Sequence, residues 1–261
     1  MKHVIITGSS RGIGFGLATE FLKRNFSVTI SGSSDESVKK AKIALAEEFD
    51  EKLIFAQKCD VRNYNEIENL WQTSFEKFKR VDIWINNAGV GQENKNFIEI
   101  ENSKLLDIID INIKGMMFGS KYAFGKMHEQ GFGAIYNMEG FGSDGRKMKK
   151  MAVYGTSKIA LNYFTETFIK ETTESPVIVG LLSPGMVVTD LLMSPINNNS
   201  EDVKEFKKIV NILADKVETV TPFLVENMIK NKKHGKAIRW LTTAKATSRF
   251  MLSPFRKRNI V

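Results

Sequence analysis

Short runs rich in Val and Ile alternate along this chain with longer stretches in which apolar residues recur every three or four positions. The apolar runs predict β-strands at residues 3–7, 27–31, 53–58, 81–86, 134–138 and 177–183. The periodic stretches predict helices at residues 14–25, 34–49, 64–78, 103–130 and 153–173. Because strands that alternate with helices form a parallel sheet covered on both faces, we expect one doubly wound α/β domain over residues 1–261.

Residues 186–221 interrupt this alternation with Pro195, three successive asparagines and an amphipathic stretch from 201 to 217. In an open α/β sheet, the loops beyond the carboxyl ends of the strands form the ligand crevice. We therefore predict that this segment is a substrate lid.

Positive charge is concentrated in the C-terminal tail. Residues 227–261 contain ten Lys and Arg residues and no Asp or Glu, although the net charge of the whole chain is +8. The sequence has no zinc-finger spacing and no aromatic RNA-binding motif, so neither a nucleic-acid partner nor a metal is expected. Apolar residues among these cations, such as Trp240 and Phe255, predict either peripheral contact with an anionic membrane or ordinary packing against the core.

Cysteine usage and the N-terminus bear on the compartment. The single cysteine, Cys59, cannot form an internal disulfide, and Met1 leads directly into an apolar strand without a signal peptide. No apolar run is long enough to cross a bilayer. These features predict a cytoplasmic protein, at most peripheral to a membrane.

A glycine-rich turn joins the first predicted strand to the first predicted helix. It reads Thr-Gly-Ser-Ser-Arg-Gly-Ile-Gly over residues 7–14. Glycines permit a tight turn, so that a pyrophosphate can sit on the helix N-terminus, where free N–H groups favour negative charge. This position in a βαβ unit predicts a Rossmann-like dinucleotide site that includes Gly8, Ser10, Arg11, Gly12, Ile13 and Gly14.

Five motifs, in order along the chain, resemble the short-chain dehydrogenase/reductase family. They are this turn, Asn-Asn-Ala-Gly at 86–89, Asn112, Tyr-x-x-x-Lys at 154–158 and Pro-Gly-Met-Val-Val-Thr at 184–189. The resemblance implies a homodimer or homotetramer. It also implies a nicotinamide cofactor with further contacts from Asp60, Val61, Asn87, Ala88, Gly89, Tyr154, Lys158, Pro184, Gly185, Val187 and Thr189. Asn112 would belong to a water relay that reaches the lysine, unless it only satisfies a helix irregularity.

Tyr154 and Lys158 lie four residues apart and therefore share one face of the predicted helix. A nearby ammonium group favours the phenolate, so we expect Lys158 to lower the pKa of Tyr154. Tyr154 could then exchange a proton with a substrate carbonyl group, with Lys158 as its partner.

The end of the second strand bears on the choice of cofactor. NAD requires a carboxylate there for the ribose hydroxyls, whereas the 2′-phosphate of NADP requires cations and donors. This strand is followed by Ser33 and Ser34, and Arg11 lies in the glycine turn. We therefore predict NADP(H) in preference to NAD(H), while noting that the two serines could also cap the next helix.

The segment after the fifth strand departs from the family. The usual serine that binds the substrate oxygen falls near Gly140 or Phe141, and the nearest hydroxyl belongs to Ser143. Either Ser143 replaces that serine or catalysis is weakened, because loss of one donor costs about a hundredfold in rate.

This departure, Asn-Met-Glu-Gly-x-Gly-Ser at 137–143, resembles the chlorophyll b reductase branch, whose members reduce a formyl group on a chlorin. We therefore predict an NADPH-dependent reductase of a hydrophobic aldehyde or ketone. Two alternatives remain: a reductase of a 3-oxoacyl thioester or small ketone, and a weakly active nucleotide-binding sensor or scaffold. Four cations before Tyr154 predict either a rim for an anionic substrate or a solvated loop; they are Arg146, Lys147, Lys149 and Lys150.

Overall fold

The computed structural model describes residues 1–193, 201–255 and 258–261, and its centre is one parallel β-sheet. The strand order is β3-β2-β1-β4-β5-β6-β7. The strands from β1 to β3 are added towards one edge of the sheet, and the strands from β4 to β7 are added towards the other edge. The strands are β1 His3–Ile6, β2 Ser27–Gly32, β3 Ile54–Lys58, β4 Ile83–Asn86, β5 Gly133–Met138, β6 Val177–Ser183 and β7 Ala237–Arg239. The predicted Rossmann-like, doubly wound fold is confirmed.

Helices cover both faces of the sheet and bury its Val- and Ile-rich strands in two large apolar clusters. They are α1 Gly12–Leu22, α2 Asp35–Ala46, α3 Tyr64–Phe78, α4 Asn102–Ile109, α5 Met116–Gln130, α6 Ala152–Glu171, α7 Asp190–Met193, α8 Glu201–Leu213, α9 Val217–Lys230 and α10 Thr243–Leu252. Among the described residues, none of these helices is both long enough and apolar enough to cross a membrane.

One predicted helix is divided in the structure. The continuous helix expected at 103–130 is interrupted by a π-helical segment, Asp110–Gly115, between α4 and α5. Gly115 lies against Val61, and a Cβ at Gly115 would be 2.6 Å from Val61 Cγ2. Short π-helical segments occur inside α-helices and are frequent at functional sites. The apolar periodicity could not show this break because it persists on both sides of it.

The C-terminal region contains more secondary structure than the sequence predicted. The proposed lid contains α7 and α8, and its residues 194–200 lie outside the described residues. The tail adds β7, which the sequence did not predict, to the edge of the sheet. Ile238 is buried and Trp240 packs against Phe223, as expected for core packing. Four apolar side chains of the tail are exposed instead: Phe250, Met251, Leu252 and Phe255.

A buried polar network lies under the carboxyl ends of β4 and β5. Asn86 Nδ2 donates to Ser120 Oγ at 3.0 Å and to Asn137 Oδ1 at 2.8 Å. Trp84 Nε1 donates to Asn86 Oδ1 at 2.7 Å, and Asn137 Nδ2 donates to Thr165 Oγ1 at 2.9 Å. The network therefore links two strands to α5 and α6, the helix that carries Tyr154.

Candidate active site

The glycine turn after β1 forms a cradle in which side chains have no room. Gly8 and Gly12 adopt left-handed backbone conformations, with φ of 62° and 59°. A Cβ at Gly8 would be 2.7 Å from the Cα of Ala88, and one at Gly14 would be 2.5 Å from Asn87 Nδ2. Arg11 occupies the N-cap of α1 without a side-chain hydrogen bond to the first turn. The first-turn N–H groups are thus available to a phosphate.

Three serines lie around the carboxyl end of β2: Ser10 of the glycine turn, and Ser33 and Ser34 directly after the strand. Ser10 Oγ lies 3.0 Å from the position of a Cβ on Gly32, so the first turn touches this strand end. Ser33 and Ser34 are exposed, and Ser34 Oγ accepts a hydrogen bond from Ser37 N at the start of α2. Ser34 therefore acts as a helix cap, whatever else it binds. Arg11 is exposed and its nearest acidic partner is Asp190, at 3.8 Å.

Asp60 and Val61 follow β3 on the adjacent edge of the cleft. The Asp60 carboxylate is bound by Arg62, and hydrogen bonds from Arg62 lower its pKa. Val61 is buried against Gly115 in the π-helical segment. These contacts fix the wall beside β3.

The loops after β4 and β6 close the cleft over the glycine turn. Asn87 Nδ2 donates to Thr7 O and Gly8 O, each at 2.9 Å, and so ties the β4 loop to the turn. After β6, Pro184 leads into Gly185, which has a φ of 72°. The later residues of that loop include buried Val187 and Thr189, whose Cγ2 lies 3.4 Å from the position of a Cβ on Gly12.

Tyr154 and Lys158 are both buried on one side of α6, as their spacing predicted. Lys158 Nζ donates to Met138 O at 3.1 Å and lies 5.8 Å from the centre of the Tyr154 ring. Burial lowers the pKa of Lys158 to about 8, with Glu139 opposing the shift, and burial raises the pKa of Tyr154 to about 12. Desolvation therefore raises the pKa of the phenol in this structure, and the expected lowering of that pKa by the Lys158 ammonium group stays a prediction.

The segment after β5 places Ser143 close to the phenol. A Cβ at Gly140 would collide with Tyr154 Oη, so the backbone of Gly140 lies directly against that hydroxyl. Ser143 Oγ is buried and accepts a hydrogen bond from Gly140 N at 3.1 Å. Because this bond uses the oxygen as an acceptor, the Ser143 O–H remains able to donate to a substrate oxygen.

Asn112, inside the π-helical segment, joins α6 to the β4 loop. Its amide accepts from Val90 N at 2.9 Å and donates to Val90 O and Ser157 Oγ, each at 3.0 Å. Both Asn112 Oδ1 and Lys158 Nζ flank Gly89, at 3.3 and 3.8 Å from the position of a Cβ there. The amide is therefore satisfied by loop and helix groups, next to the lysine but not bonded to it.

Two buried residues at the site were missed in the sequence. Gln92 Oε1 accepts from Val153 N at 2.8 Å and from Tyr154 N at 3.2 Å, and so caps the helix that carries the tyrosine. Glu139 accepts from Asn162 Nδ2 at 3.0 Å and raises the pKa of Lys158. A Gln far from α6 in sequence gives no local capping signal, whereas an acidic residue directly after a buried strand could have been noticed.

Known proteins share both the sequence pattern and the fold of this chain. The short chain dehydrogenase family profile matches residues 2–201. The chain belongs to the short chain dehydrogenase family. This short chain dehydrogenase is 38% identical over 256 residues to "Chlorophyll(ide) b reductase NOL, chloroplastic" from Oryza sativa subsp. japonica, covering 95% of this chain and 73% of that protein. The protein of the same name from Arabidopsis thaliana is 37% identical over 253 residues, covering 94% and 71%.

Solved structures support the fold of this short chain dehydrogenase. A 3-ketoacyl-(acyl-carrier-protein) reductase from Brucella melitensis complexed with NADH superposes with a TM-score of 0.79 at 21% identity, covering 94% of this chain and 98% of that chain. ElxO with NADP bound gives a TM-score of 0.78 at 24% identity, covering 91% and 97%. One of these two solved structures holds NADH and the other holds NADP, so both nucleotides occur on this fold.

The expected cytoplasmic location is corrected by these relatives. Both chlorophyll(ide) b reductases above are named as chloroplastic, as are two further relatives of which this chain spans about half the length. The prediction failed because one buried cysteine indicates a reducing environment and does not distinguish one reducing compartment from another.

Proposed function

We propose that this protein is an NADPH-dependent reductase of the formyl group of a chlorophyll b-type chlorin. The observation that carries the reaction type is the buried Tyr154–Lys158 pair, which lies against Gly140 at the edge of the glycine cradle. The substrate class rests on the relatives named chlorophyll(ide) b reductase.

The cradle has the features that a dinucleotide requires. Gly8, Gly12, Gly14 and the N-terminus of α1 would hold the pyrophosphate, because the positive φ angles of Gly8 and Gly12 make the turn tight and the N–H groups at the start of α1 favour negative charge. Arg11, Ser33 and Ser34 supply a cation and donors for a 2′-phosphate, which favours NADP(H). The remaining cofactor contacts would come from Ser10, Ile13, Asp60, Val61, Asn87, Ala88, Gly89, Pro184, Gly185, Val187 and Thr189. When bound, the cofactor supplies the hydride.

The residues of the chain would manage the proton and the substrate oxygen. With a pKa of about 12, Tyr154 is a neutral phenol at neutral pH and can donate its proton to a carbonyl oxygen as that oxygen gains negative charge. Lys158, with a pKa of about 8, is mostly an ammonium group at neutral pH and stabilises the phenolate that remains. Ser143 would donate a second hydrogen bond to the same oxygen, and Asn112 would position Ser157 and Val90 around the pair.

A direct assay tests this proposal. Purified protein, NADPH and chlorophyllide b should give the hydroxymethyl product, and a 3-oxoacyl thioester should react far more slowly. Tyr154→Phe should reduce the rate by about a hundredfold or more, while the variant still binds NADPH. The matched control is Tyr163→Phe on the exposed side of the same helix. A Tyr154→Phe enzyme as fast as the parent would refute the mechanism, and faster turnover of the thioester would refute the substrate class.

Self-association is a separate part of the proposal. The outer face of α5 and α6 has an apolar groove lined by Met117, Ile159, Ala160, Tyr163 and Phe164, and Tyr163 is 74% exposed. An exposed apolar face of this kind suits a second copy of the chain, as a homodimer or homotetramer. Light scattering should show an oligomer that Ile159→Glu weakens. A parent chain that is monomeric at high concentration would refute the proposed self-association.

Peripheral membrane contact is a further part that can be tested alone. Phe250, Met251, Leu252 and Phe255 are exposed at the end of the basic tail. Exposed apolar side chains next to cations suit the interface of an anionic membrane. The parent chain should co-sediment with anionic vesicles at low salt, and the Phe255→Ser variant should not. Absence of binding by the parent chain would refute the proposed membrane contact.

A further inference from the structure

Asp215, between α8 and α9, is paired through its backbone with the loop that follows β6. Asp215 N donates to Met186 O, and Val188 N donates to Asp215 O, each at 3.0 Å. These two bonds form a parallel bridge with Val187, which is buried. The conformation of the 184–189 loop therefore depends on where Asp215 is held.

The Asp215 side chain is held almost entirely by the C-terminal tail. Its carboxylate accepts from Trp240 Nε1 at 2.7 Å, Arg249 Nη2 at 3.1 Å and Arg258 Nη2 at 2.6 Å. The side chain of Asp215 is 6% exposed, and those of Arg249 and Arg258 are 17% and 23% exposed. Two tail cations that the sequence left open for outside partners are thus bound within the fold.

The same arginines also complete the C-terminal end of α8. Arg249 Nη1 donates to Leu213 O, and Arg258 donates to Ile212 O and Ala214 O, all at 2.7 Å. The last carbonyls of a helix lack partners within the helix and carry partial negative charge, so guanidinium groups stabilise them. The chain end adds to this arrangement, because the backbone N–H groups of Ile260 and Val261 donate to Asn211 Oδ1.

Residues next to β7 bind the beginning of the same loop. Trp240 N donates to Ser183 O at 2.9 Å, directly before Pro184. Leu241 packs so closely on Gly185 that a Cβ there would collide with it. The 184–189 loop is therefore fixed at its beginning and again at 186–188 by one group of residues, which consists of Trp240, Leu241, Arg249, Arg258 and Asp215.

We propose that Asp215, Arg249 and Arg258 are positioning residues that set the cofactor loop at 184–189 and so determine NADP(H) affinity without touching the cofactor. The inference rests on the proposed function only for the class of cofactor. It gives the basic tail a role in nucleotide binding, carried by its buried arginines and not by its net charge.

The experiment measures NADPH binding by fluorescence titration of the full chain, without a carbonyl substrate. Arg258→Met should raise the Kd for NADPH by about tenfold. Arg258→Lys, which keeps the charge but loses the second donor group, should show an intermediate Kd. The matched control is Lys232→Met, which removes an exposed tail cation and should leave the Kd unchanged.

Hydrogen exchange at the Val188 amide gives a second measurement that a general loss of stability would not reproduce. This N–H should exchange faster in Arg258→Lys, while amides in β1 and β4 keep the parent rate. A Kd and an exchange rate equal to the parent's, even with a lower Tm, would overturn the inference alone. A parent chain that binds no nicotinamide nucleotide would overturn the proposed function together with it.

Discussion

The half of the cleft proposed to bind the nucleotide and the half proposed to bind the substrate oxygen are built in different ways. On the nucleotide side, the shape is made by backbone: Gly8 and Gly12 have positive φ angles, and Gly14 has no space for a side chain. On the oxygen side, the shape is made by side-chain hydrogen bonds, from Ser143 to the nearby Gly140 and from the distant Gln92 to the start of α6. A Cβ at Gly8 or Gly14 of the first half would collide with the loop after β4, whereas the second half depends on hydrogen bonds that could be exchanged.

Under the proposed function, this contrast would allow one scaffold to keep its cofactor while its substrate changes. Glycine positions in a turn are constrained by their own backbone angles, so the nucleotide side is fixed by adjacent residues. Side chains on the oxygen side can be replaced singly, provided that buried partners stay satisfied. A substitution in only one half should therefore change either the affinity for the cofactor or the turnover rate, but not both.

The largest effect is expected at the oxygen side. Ser143→Ala should reduce kcat by about a hundredfold, because it removes a hydrogen-bond donor from the oxygen that becomes charged. The Kd for NADPH should not change, since Ser143 is on the other half. Steady-state kinetics and fluorescence titration measure the two quantities. An unchanged kcat would show that Ser143 only supports Gly140 N.

On the nucleotide side, Gly8→Ala should weaken NADPH binding by more than about tenfold, because Ala disfavours positive φ and its methyl group meets Ala88. Gly125→Ala in α5 is the matched control, because a Cβ at Gly125 meets nothing within 4 Å. The control should bind NADPH normally and raise the Tm slightly. Equal Kd values for Gly8→Ala and the parent would contradict a backbone-defined cradle.

Gln92 tests whether the two halves communicate, because it lies in the loop after β4, which carries Asn87 against the glycine turn, and it caps the helix of Tyr154. Gln92→Met removes the acceptor for the Val153 and Tyr154 N–H groups, and kcat should fall by about tenfold. Gln92→Glu keeps an acceptor, with a charge that a helix N-terminus favours, and should recover most of that loss. If both variants lose kcat equally, the cap is not what positions Tyr154.

The smallest effect concerns pH. Lys158 has a pKa of about 8 and must be protonated to assist Tyr154, so the reduction rate should fall as the pH rises through about 8. The Glu139 carboxylate raises this pKa; in Glu139→Gln the decline should therefore move to lower pH, by up to about one pH unit. The pH–rate profile of each protein, with saturating NADPH, measures the shift. A profile that moves to higher pH would contradict this assignment.

Sequence patterns predicted six strands and the fold because each strand is a local apolar run. They missed β7, a three-residue strand within a basic tail, and the π-helical break at Asp110–Gly115. The spacing of Tyr154 and Lys158 predicted their shared face, but not the pKa of the phenol, which depends on burial by distant segments. Gln92 and Asp215 escaped notice for the same reason, since their partners are many residues away.

Sequence change during evolution is limited by the buried polar network, which consists of Trp84, Asn86, Ser120, Asn137 and Thr165. Loss of any one side chain leaves its neighbours with unmet hydrogen-bonding groups, each costing about 1–3 kcal/mol. A penalty of that size is a large fraction of the stability of a typical domain. Related sequences that still fold are therefore expected to change these five positions together, so that the residues of this network covary.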